Sequence, residues 1–242
     1  MINKTKIDWT DFSWNPVWGC LNNCEYCYAR KIAKRFHEEM ARVNYDPNGE
    51  YCIFELTDRI EAFKPTWLEH NFKKPFPKKP SRIFVNSMSE IYYWKRGWTE
   101  KVLEKIKEYP QHTFQFLTKF PEVYDCDNYS YSSKNCWFGV TVNDRESSSK
   151  IILLNIANTG NNTLFVSFEP LLGKIDVSNL VDGIDWVIIG AETGNRKGKI
   201  ILKKKWVEEI IDQCDYWNIP VFTKENLWKI YPGLKRQEFP KG

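Results

Sequence analysis

The chain has 242 residues, 42% of them hydrophobic, with 35 lysines and arginines against 31 acidic residues and a net charge of +4. This composition is typical of a soluble globular protein and excludes intrinsic disorder and collagen-like repeats. No apolar run approaches the roughly 18 residues of a membrane helix, and the first residues lack the apolar core of a signal peptide. We therefore expect a cytoplasmic protein with no membrane partner.

The first third of the chain predicts few regular elements. A strand is predicted near residues 6–9, and a helix over 25–42, where apolar residues recur at three- and four-residue spacing. Residues 44–81 then break the pattern and end in a basic, proline-punctuated run at 73–80 that cannot be helical. We expect an insertion at 44–81.

The rest of the chain shows a regular alternation of strands and helices. Six runs rich in β-branched and aromatic residues start 22–34 residues apart, at 82–86, 113–118, 136–142, 163–168, 185–190 and 219–223. This spacing fits a strand plus a crossover helix, and helical patterns at 99–108 and 203–215 fall in the gaps. Several runs are apolar throughout, as in strands buried on both faces.

These patterns predict an α/β fold with parallel strands. A (β/α) barrel, complete or partial, is the first choice, and an open doubly wound sheet is the alternative. Residues 1–242 then form a single domain, with 226–242 as a C-terminal lid.

The cysteines are the most informative residues. Seven of them, an odd number with no secretion signal, indicate thiols or metal ligands rather than disulfides. Cys20, Cys24 and Cys27 are spaced C-x3-C-x2-C, and the predicted helix places the last two one turn apart. Thiolates suit iron–sulfur clusters or zinc, and a set of three leaves a coordination position open. The others are predicted as core thiols: Cys52, Cys126, Cys136 and Cys214.

This cysteine motif, with Tyr26 as its aromatic residue, resembles the cluster motif of the radical S-adenosylmethionine (SAM) enzymes. The resemblance implies a [4Fe-4S] cluster held by Cys20, Cys24 and Cys27, with Tyr26 beside the adenine of SAM. It also implies an external electron donor and reductive cleavage of SAM to a 5′-deoxyadenosyl radical that acts on an unassigned substrate. Segments such as 14–16 and 166–173 extend the similarity over nearly the whole chain, to a small phage-associated branch described as a domain of unknown function.

Polar residues follow the predicted strands at their C-terminal ends, where a parallel barrel carries its chemistry. Candidate SAM contacts are Asn86, Ser87, Ser89, Glu90, Thr141 and Asn143, and candidate catalytic residues facing the substrate are Lys119, Glu169, Glu192 and Lys224. The radical SAM enzymes often have G-G-E where this chain has Asn86-Ser-Met-Ser-Glu90, so the backbone approach to SAM differs here. Glu169 and Glu192 could equally cap helices or pair with Lys119 or Lys224.

Two further functions compete with this one. In a zinc-stabilised nucleic-acid-binding module without catalysis, His37 or a distant cysteine would complete the zinc site, and the basic and aromatic segments 73–79 and 92–98 would contact nucleic acid. An electron-transfer iron–sulfur protein is the third hypothesis. For the enzyme, a nucleotide or nucleic acid is a candidate substrate, and the sequence leaves room for a partner protein.

Overall fold

A computed structural model describes residues 1–125, 133–157, 162–180 and 183–240. The chain forms two compact units, residues 1–116 and 117–242, and each is described by itself. The fold is mixed α/β with mostly parallel strands, which confirms the predicted class. The single domain over 1–242 stays a prediction.

The first unit contains a sheet in the order β1 (Asn3–Lys4), β2 (Phe12–Ser13), β5 (Arg82–Phe84) and β6 (Thr113–Thr118), whose last two residues belong to the second unit. The first pair is antiparallel and the other two pairs are parallel. A separate antiparallel pair joins β3 (Val17–Trp18) and β4 (Thr66–Trp67). The predicted strand at 6–9 is wrong, because these residues turn between β1 and β2, where the Thr10 N–H donates to the Ile7 carbonyl (3.3 Å).

Four helices complete the first unit: α1 (Tyr28–Asn44), α2 (Ile53–Glu61), α3 (Glu69–Lys73) and α4 (Arg96–Lys107). Helix α1 begins three residues later than predicted, because Cys27 caps it by accepting the Arg30 N–H. Its buried face consists of alanines packed against Leu56 and Ile60, so α1 lies close to α2. The predicted insertion 44–81 has secondary structure of its own. The run 73–80 is non-helical as predicted except for Lys73, which is the last residue of α3.

The second unit has four parallel strands in chain order: β7 (Cys136–Thr141), β8 (Thr163–Phe168), β9 (Trp186–Ile189) and β10 (Val221–Thr223). Its helices are α5 (Lys150–Ala157), α6 (Lys204–Trp217) and α7 (Glu225–Trp228). Strands β8 and β9 are buried along almost their whole length, as the apolar runs predict.

The C-terminal segment lies along the edge of β10. The Thr223 N–H donates to the Arg236 carbonyl (2.8 Å), the Glu238 N–H donates to the Val221 carbonyl (3.0 Å), and the Trp186 indole donates to the Glu238 carbonyl (2.8 Å). These bonds cover an otherwise unpaired strand edge. The lid predicted for 226–242 stays a prediction. Among the described residues, no helix combines the length and apolar character that crossing a membrane demands.

A substitution at Gly139 in β7 tests how tightly the second unit is packed. A Cβ atom there would lie 2.4 Å from the ring of Phe165, which is fully buried and packs against Trp186 (ring centroids 5.7 Å apart). Because the ring has no room to move, we expect Gly139→Ala to lower the free energy of unfolding by about 1–3 kcal/mol, measured by urea denaturation. Gly233→Ala in the same unit is the control, since nothing lies within 4 Å of its added Cβ; equal effects of the two variants would contradict the tight β7–β8 packing.

Candidate functional site

The three clustered cysteines lie in a loop, residues 19–27, that joins β3 to α1, and Gly19 fixes its start. Gly19 has a φ of +110°, and its N–H donates to the Met88 carbonyl (3.0 Å). The next N–H, of Cys20, donates to the Phe63 carbonyl (2.9 Å). A Cβ atom on Gly19 would lie 2.1 Å from the carbonyl oxygen of Lys64. Glycine is required here because the conformation is left-handed and the neighbouring backbone is too close for a side chain.

All three cysteines are partly buried, and backbone groups point at two of the sulfurs. The Asn22 N–H donates to Cys20 Sγ and the Arg30 N–H donates to Cys27 Sγ, both at 3.4 Å. Burial raises the pKa of Cys20 to about 11; the Asn22 N–H opposes this shift, and the nearby Glu90, Cys24 and Cys27 add to it. Three thiols, each of which can become a negatively charged thiolate, therefore lie near the Glu90 carboxylate.

The segment after β5, residues 86–90, lies beside this loop. The Asn15 side chain hydrogen-bonds Ser87 Oγ (3.0 Å) and accepts the Met88 N–H (2.9 Å). Gly19 also bridges to Ser89, whose Oγ accepts the Trp94 indole N–H (3.1 Å). Asn86 and Glu90 are buried, at 2% and 5% exposure. The structure thus brings four predicted SAM contacts, Asn86, Ser87, Ser89 and Glu90, next to the predicted cluster ligands, and Tyr26 lies half-buried in the loop.

Two further residues, Tyr93 and Arg30, hold the cysteine loop, and the sequence does not predict this role for either. The Tyr93 hydroxyl donates to Asn22 Oδ1 (2.7 Å), and the Arg30 guanidinium donates to the Cys20 carbonyl (3.0 Å) while lying over the Phe63 ring (5.1 Å). Asn15, also not predicted, holds the neighbouring segment 86–90. A sequence signal existed only for Arg30, which follows Cys27 by three residues and so lies in the first turn of α1; the other contacts are set by the tertiary fold.

The donor set fits an iron–sulfur cluster in its chemistry. Three thiols lie within eight residues, they interact electrostatically, and two sulfurs accept backbone N–H groups, which also tune such clusters. In the part of the chain that is described, however, no three His, Cys, Asp or Glu side chains are gathered in an arrangement that could hold a metal ion. To coordinate a metal centre, the three cysteine side chains must therefore rotate so that their sulfur atoms face one point.

The second unit carries the remaining candidates at the ends of its strands. Lys224 donates to Glu169, and both side chains lie against Gly190, whose added Cβ would meet them at 3.0–3.2 Å. The Asn143 amide donates to the Pro170 carbonyl (2.7 Å), and Thr141 is buried. Lys119 is half-buried after β6. The structure thus brings Glu169 and Lys224 together as an ion pair.

Glu192 has a different environment from the other candidates. Its side chain is 1% exposed, and Arg196 binds both oxygens, at 2.7 and 3.0 Å. The Ile200 N–H donates to the same carboxylate (3.1 Å). The Arg196 guanidinium lowers the pKa of Glu192 and the Ile200 N–H assists, against the opposing effect of burial. All of these contacts hold the loop after β9 in place.

Segment 92–98 is buried in part. Trp94 and Trp98 are buried, whereas Tyr92 is exposed. Lys95 pairs with Glu50 (2.7 Å), and Arg96 pairs with Glu100 (2.9 Å). In segment 73–79, Lys73 pairs with Glu69 (3.0 Å), whereas Lys78 and Lys79 are exposed. Contact of either segment with nucleic acid stays a prediction.

The prediction that the other four cysteines are core thiols is confirmed for two of them. Cys136 and Cys214 are buried, and burial raises the pKa of each to about 12. The prediction for Cys52 is wrong, because it is exposed at the N-terminal cap of α2. Cys126 lies outside the described residues. His37 is half-buried, and its ring Nδ1 contacts the Lys34 carbonyl (2.7 Å).

Comparison with known proteins finds one family whose model matches most of the chain. A family model described as "protein of unknown function (DUF5131)" matches residues 4–233. No curated protein and no solved structure gives a significant match. The expected similarity to a family of unknown function is thereby confirmed, while the radical SAM and phage associations stay predictions.

The start of the cysteine loop can be tested with Gly19→Ala. The added Cβ would meet the Lys64 carbonyl at 2.1 Å, and the alanine would have to adopt a left-handed backbone conformation. We therefore expect the free energy of unfolding to fall by about 1–3 kcal/mol. Gly97→Ala, in α4 of the same unit and with open space around its Cβ, should be neutral or slightly stabilising. Urea denaturation of both variants makes the comparison, and a harmless Gly19→Ala would contradict the close approach.

The lowered pKa of Glu192 predicts that the free energy of unfolding depends on pH. Since its folded pKa lies below the ordinary value of 4.5, its contribution is complete above that value and is lost as the pH falls through the folded pKa. We expect Glu192→Gln to cost about 1–3 kcal/mol at pH 7, as for hydrogen bonds to a charged group, and the gap from wild type to shrink below about pH 4.5. Glu225→Gln, which removes an exposed pair with Lys229, should cost at most about 1 kcal/mol. Denaturant titrations across pH test this, and a gap that stays constant would contradict the assignment.

Proposed function

The chain belongs to the DUF5131 family, and from its own residues we propose that it is a radical SAM enzyme. The supporting observation is the cysteine loop: Cys20, Cys24 and Cys27 lie in one anchored segment, and the buried Glu90 lies beside Cys20. In this proposal the parallel strands belong to a (β/α) barrel scaffold, complete or partial.

Cys20, Cys24 and Cys27 would hold a [4Fe-4S] cluster. When bound, the cluster and SAM supply a 5′-deoxyadenosyl radical by reductive cleavage, with the electron coming from an external donor. The protein's own contribution is to bind, orient and exclude water. The Asn22 and Arg30 N–H groups would stabilise negative charge on two sulfurs.

The segment 86–90 would hold SAM. Glu90 offers a buried carboxylate for an ammonium group, which suits the amino group of SAM, and burial strengthens such a charge pair. Asn86, Ser87 and Ser89 offer polar atoms on the same segment, and Tyr26 offers an aromatic face. Thr141 and Asn143 belong to the second unit, and their role as SAM contacts stays a prediction.

The proposed substrate-facing groups are Lys119, Glu169 and Lys224. The Glu169–Lys224 pair is partly buried, with 26% and 14% of the side chains exposed, so both groups can still be reached by another molecule. Glu192 is a weaker candidate, because Arg196 and the Ile200 N–H occupy its oxygens. A nucleotide or nucleic acid remains the proposed substrate class.

Single cysteine variants test the proposal. After anaerobic reconstitution with iron and sulfide, we expect the wild type to bind about four irons and, with SAM and dithionite, to release 5′-deoxyadenosine. Cys20→Ala, Cys24→Ala and Cys27→Ala should each abolish 5′-deoxyadenosine release, because each removes one ligand. Iron analysis and chromatography of the nucleoside provide the measurements.

Cys52→Ala is the matched control, since this cysteine is exposed and lies outside the loop. It should keep full iron content and activity. A protein that instead takes up one zinc and releases no 5′-deoxyadenosine would overturn the proposal in favour of a zinc-stabilised binding module. A full cluster with no SAM cleavage would favour an electron carrier.

A further inference from the structure

The positive charge of this protein is concentrated in one loop. Between residues 193 and 207 there are six lysines and arginines and no acidic residue. The other 29 basic residues of the chain are outnumbered by its 31 acidic residues. The net positive charge of the whole protein therefore depends on these six residues, which lie in 193–205. We call 193–205 the basic loop; its last two residues, Lys204 and Lys205, begin α6.

The five lysines of the basic loop are exposed; Lys204 forms an ion pair, and Lys199 interacts with the Glu192 carboxylate at longer range. Lys197, Lys199 and Lys205 form no ion pair with any residue that the structure describes. Lys203 lies over the Trp206 ring (5.2 Å), and Lys204 pairs with Glu208 (2.6 Å). Like charges so close together repel one another, which an anionic partner would relieve.

The loop is held in place at both ends by buried contacts. At its start, the Glu192 carboxylate binds Arg196 and the Ile200 N–H. Near its end, Leu202 is buried, and its carbonyl accepts the Tyr231 hydroxyl (2.8 Å). The lysines are thus presented from an anchored backbone rather than from a free tail.

The space in front of the loop is open. Gly194 and Gly198 have φ of +80° and +79°, and a Cβ atom on Gly194 would meet nothing within 4 Å. On Gly198 the nearest atom would be 3.9 Å away, on Arg196. Another molecule's backbone can therefore come close to the loop here.

We propose that the basic loop binds the phosphate backbone of a nucleic acid. Lysine provides a compact point charge suited to single phosphates, whereas the loop's only arginine, with the fork that suits carboxylates, is already used by Glu192. A membrane surface fits less well, because the aliphatic residues of α6 are buried and only Ile200 and Ile201 are exposed beside the lysines, while the exposed Tyr216 and Trp217 lie at the other end of the helix. This inference is independent of the proposed cluster, and it makes no statement on whether the bound nucleic acid is the substrate.

The test is fluorescence anisotropy of labelled single-stranded DNA, RNA and duplex oligonucleotides with the full-length protein. We expect salt-dependent binding, and substitution of four lysines (K197Q/K199Q/K203Q/K205Q) should weaken it by about tenfold or more near 0.1 M salt. The slope of log affinity against log salt should become shallower by about 0.7–0.9 for each lost phosphate contact. K197Q/K199Q, which leaves Lys203 on Trp206, should show a smaller loss in the same direction.

The control is K4Q/K6Q/K34Q/K107Q, which makes the same change in net charge at exposed lysines that lie outside the loop and outside the segments predicted to contact nucleic acid. Its affinity should change by less than about twofold, since salt screens distant charges. Equal losses in both fourfold variants would overturn the proposal, and so would a wild type that binds no oligonucleotide. Binding only to phosphatidylserine vesicles, or only to polyglutamate, would also overturn it. None of these outcomes depends on iron or SAM cleavage, so failure here is distinct from failure of the proposed enzyme.

Discussion

The candidate site depends on the close backbone contact at Gly19. One left-handed residue lets two successive N–H groups reach carbonyls on different segments, Met88 after β5 and Phe63 after α2. No other residue type leaves room for the Lys64 carbonyl. The cysteine loop is therefore attached at its first residues to both neighbouring segments, and the cap at Cys27 fixes its other end to α1. Between these two attachments, the three thiols can occupy only a small region.

That region has an unusual balance of charge. Three thiols and the buried carboxylate of Glu90 lie near one another, and burial opposes negative charge on Cys20. The Asn22 N–H offsets part of this effect at Cys20. A cationic metal centre together with an ammonium-bearing ligand would offset the rest, which is the combination that a radical SAM enzyme uses. In the second unit the buried carboxylate of Glu192 already has a positive partner, because it forms an ion pair with Arg196. The lysines next to Arg196 in the sequence are exposed to solvent.

Sequence reasoning succeeded where local pattern decides the structure. Strands 113–118 and 163–168 agree to the residue, because apolar runs of that length are typical of buried parallel strands. It failed at β1 and β2, two-residue strands with no pattern of their own, and at the start of α1, where a cysteine rather than the usual serine or aspartate caps the helix. At the site, spacing singled out the cysteines, and the position after a predicted strand singled out the segment 86–90; the structure brings the two together. Asn15 and Tyr93 could not be found this way, because they act on residues 72 and 71 positions away.

The most direct test of the central claim, that the three cysteines hold a cluster with an open iron site, is electron paramagnetic resonance of the reconstituted, dithionite-reduced protein with and without SAM. The account predicts the signal of a reduced [4Fe-4S] cluster whose g values shift when SAM is added, because SAM binds the iron that no cysteine holds. A cluster signal that SAM leaves unchanged would contradict the open site. The absence of any cluster signal from a zinc-loaded protein would contradict the cluster itself.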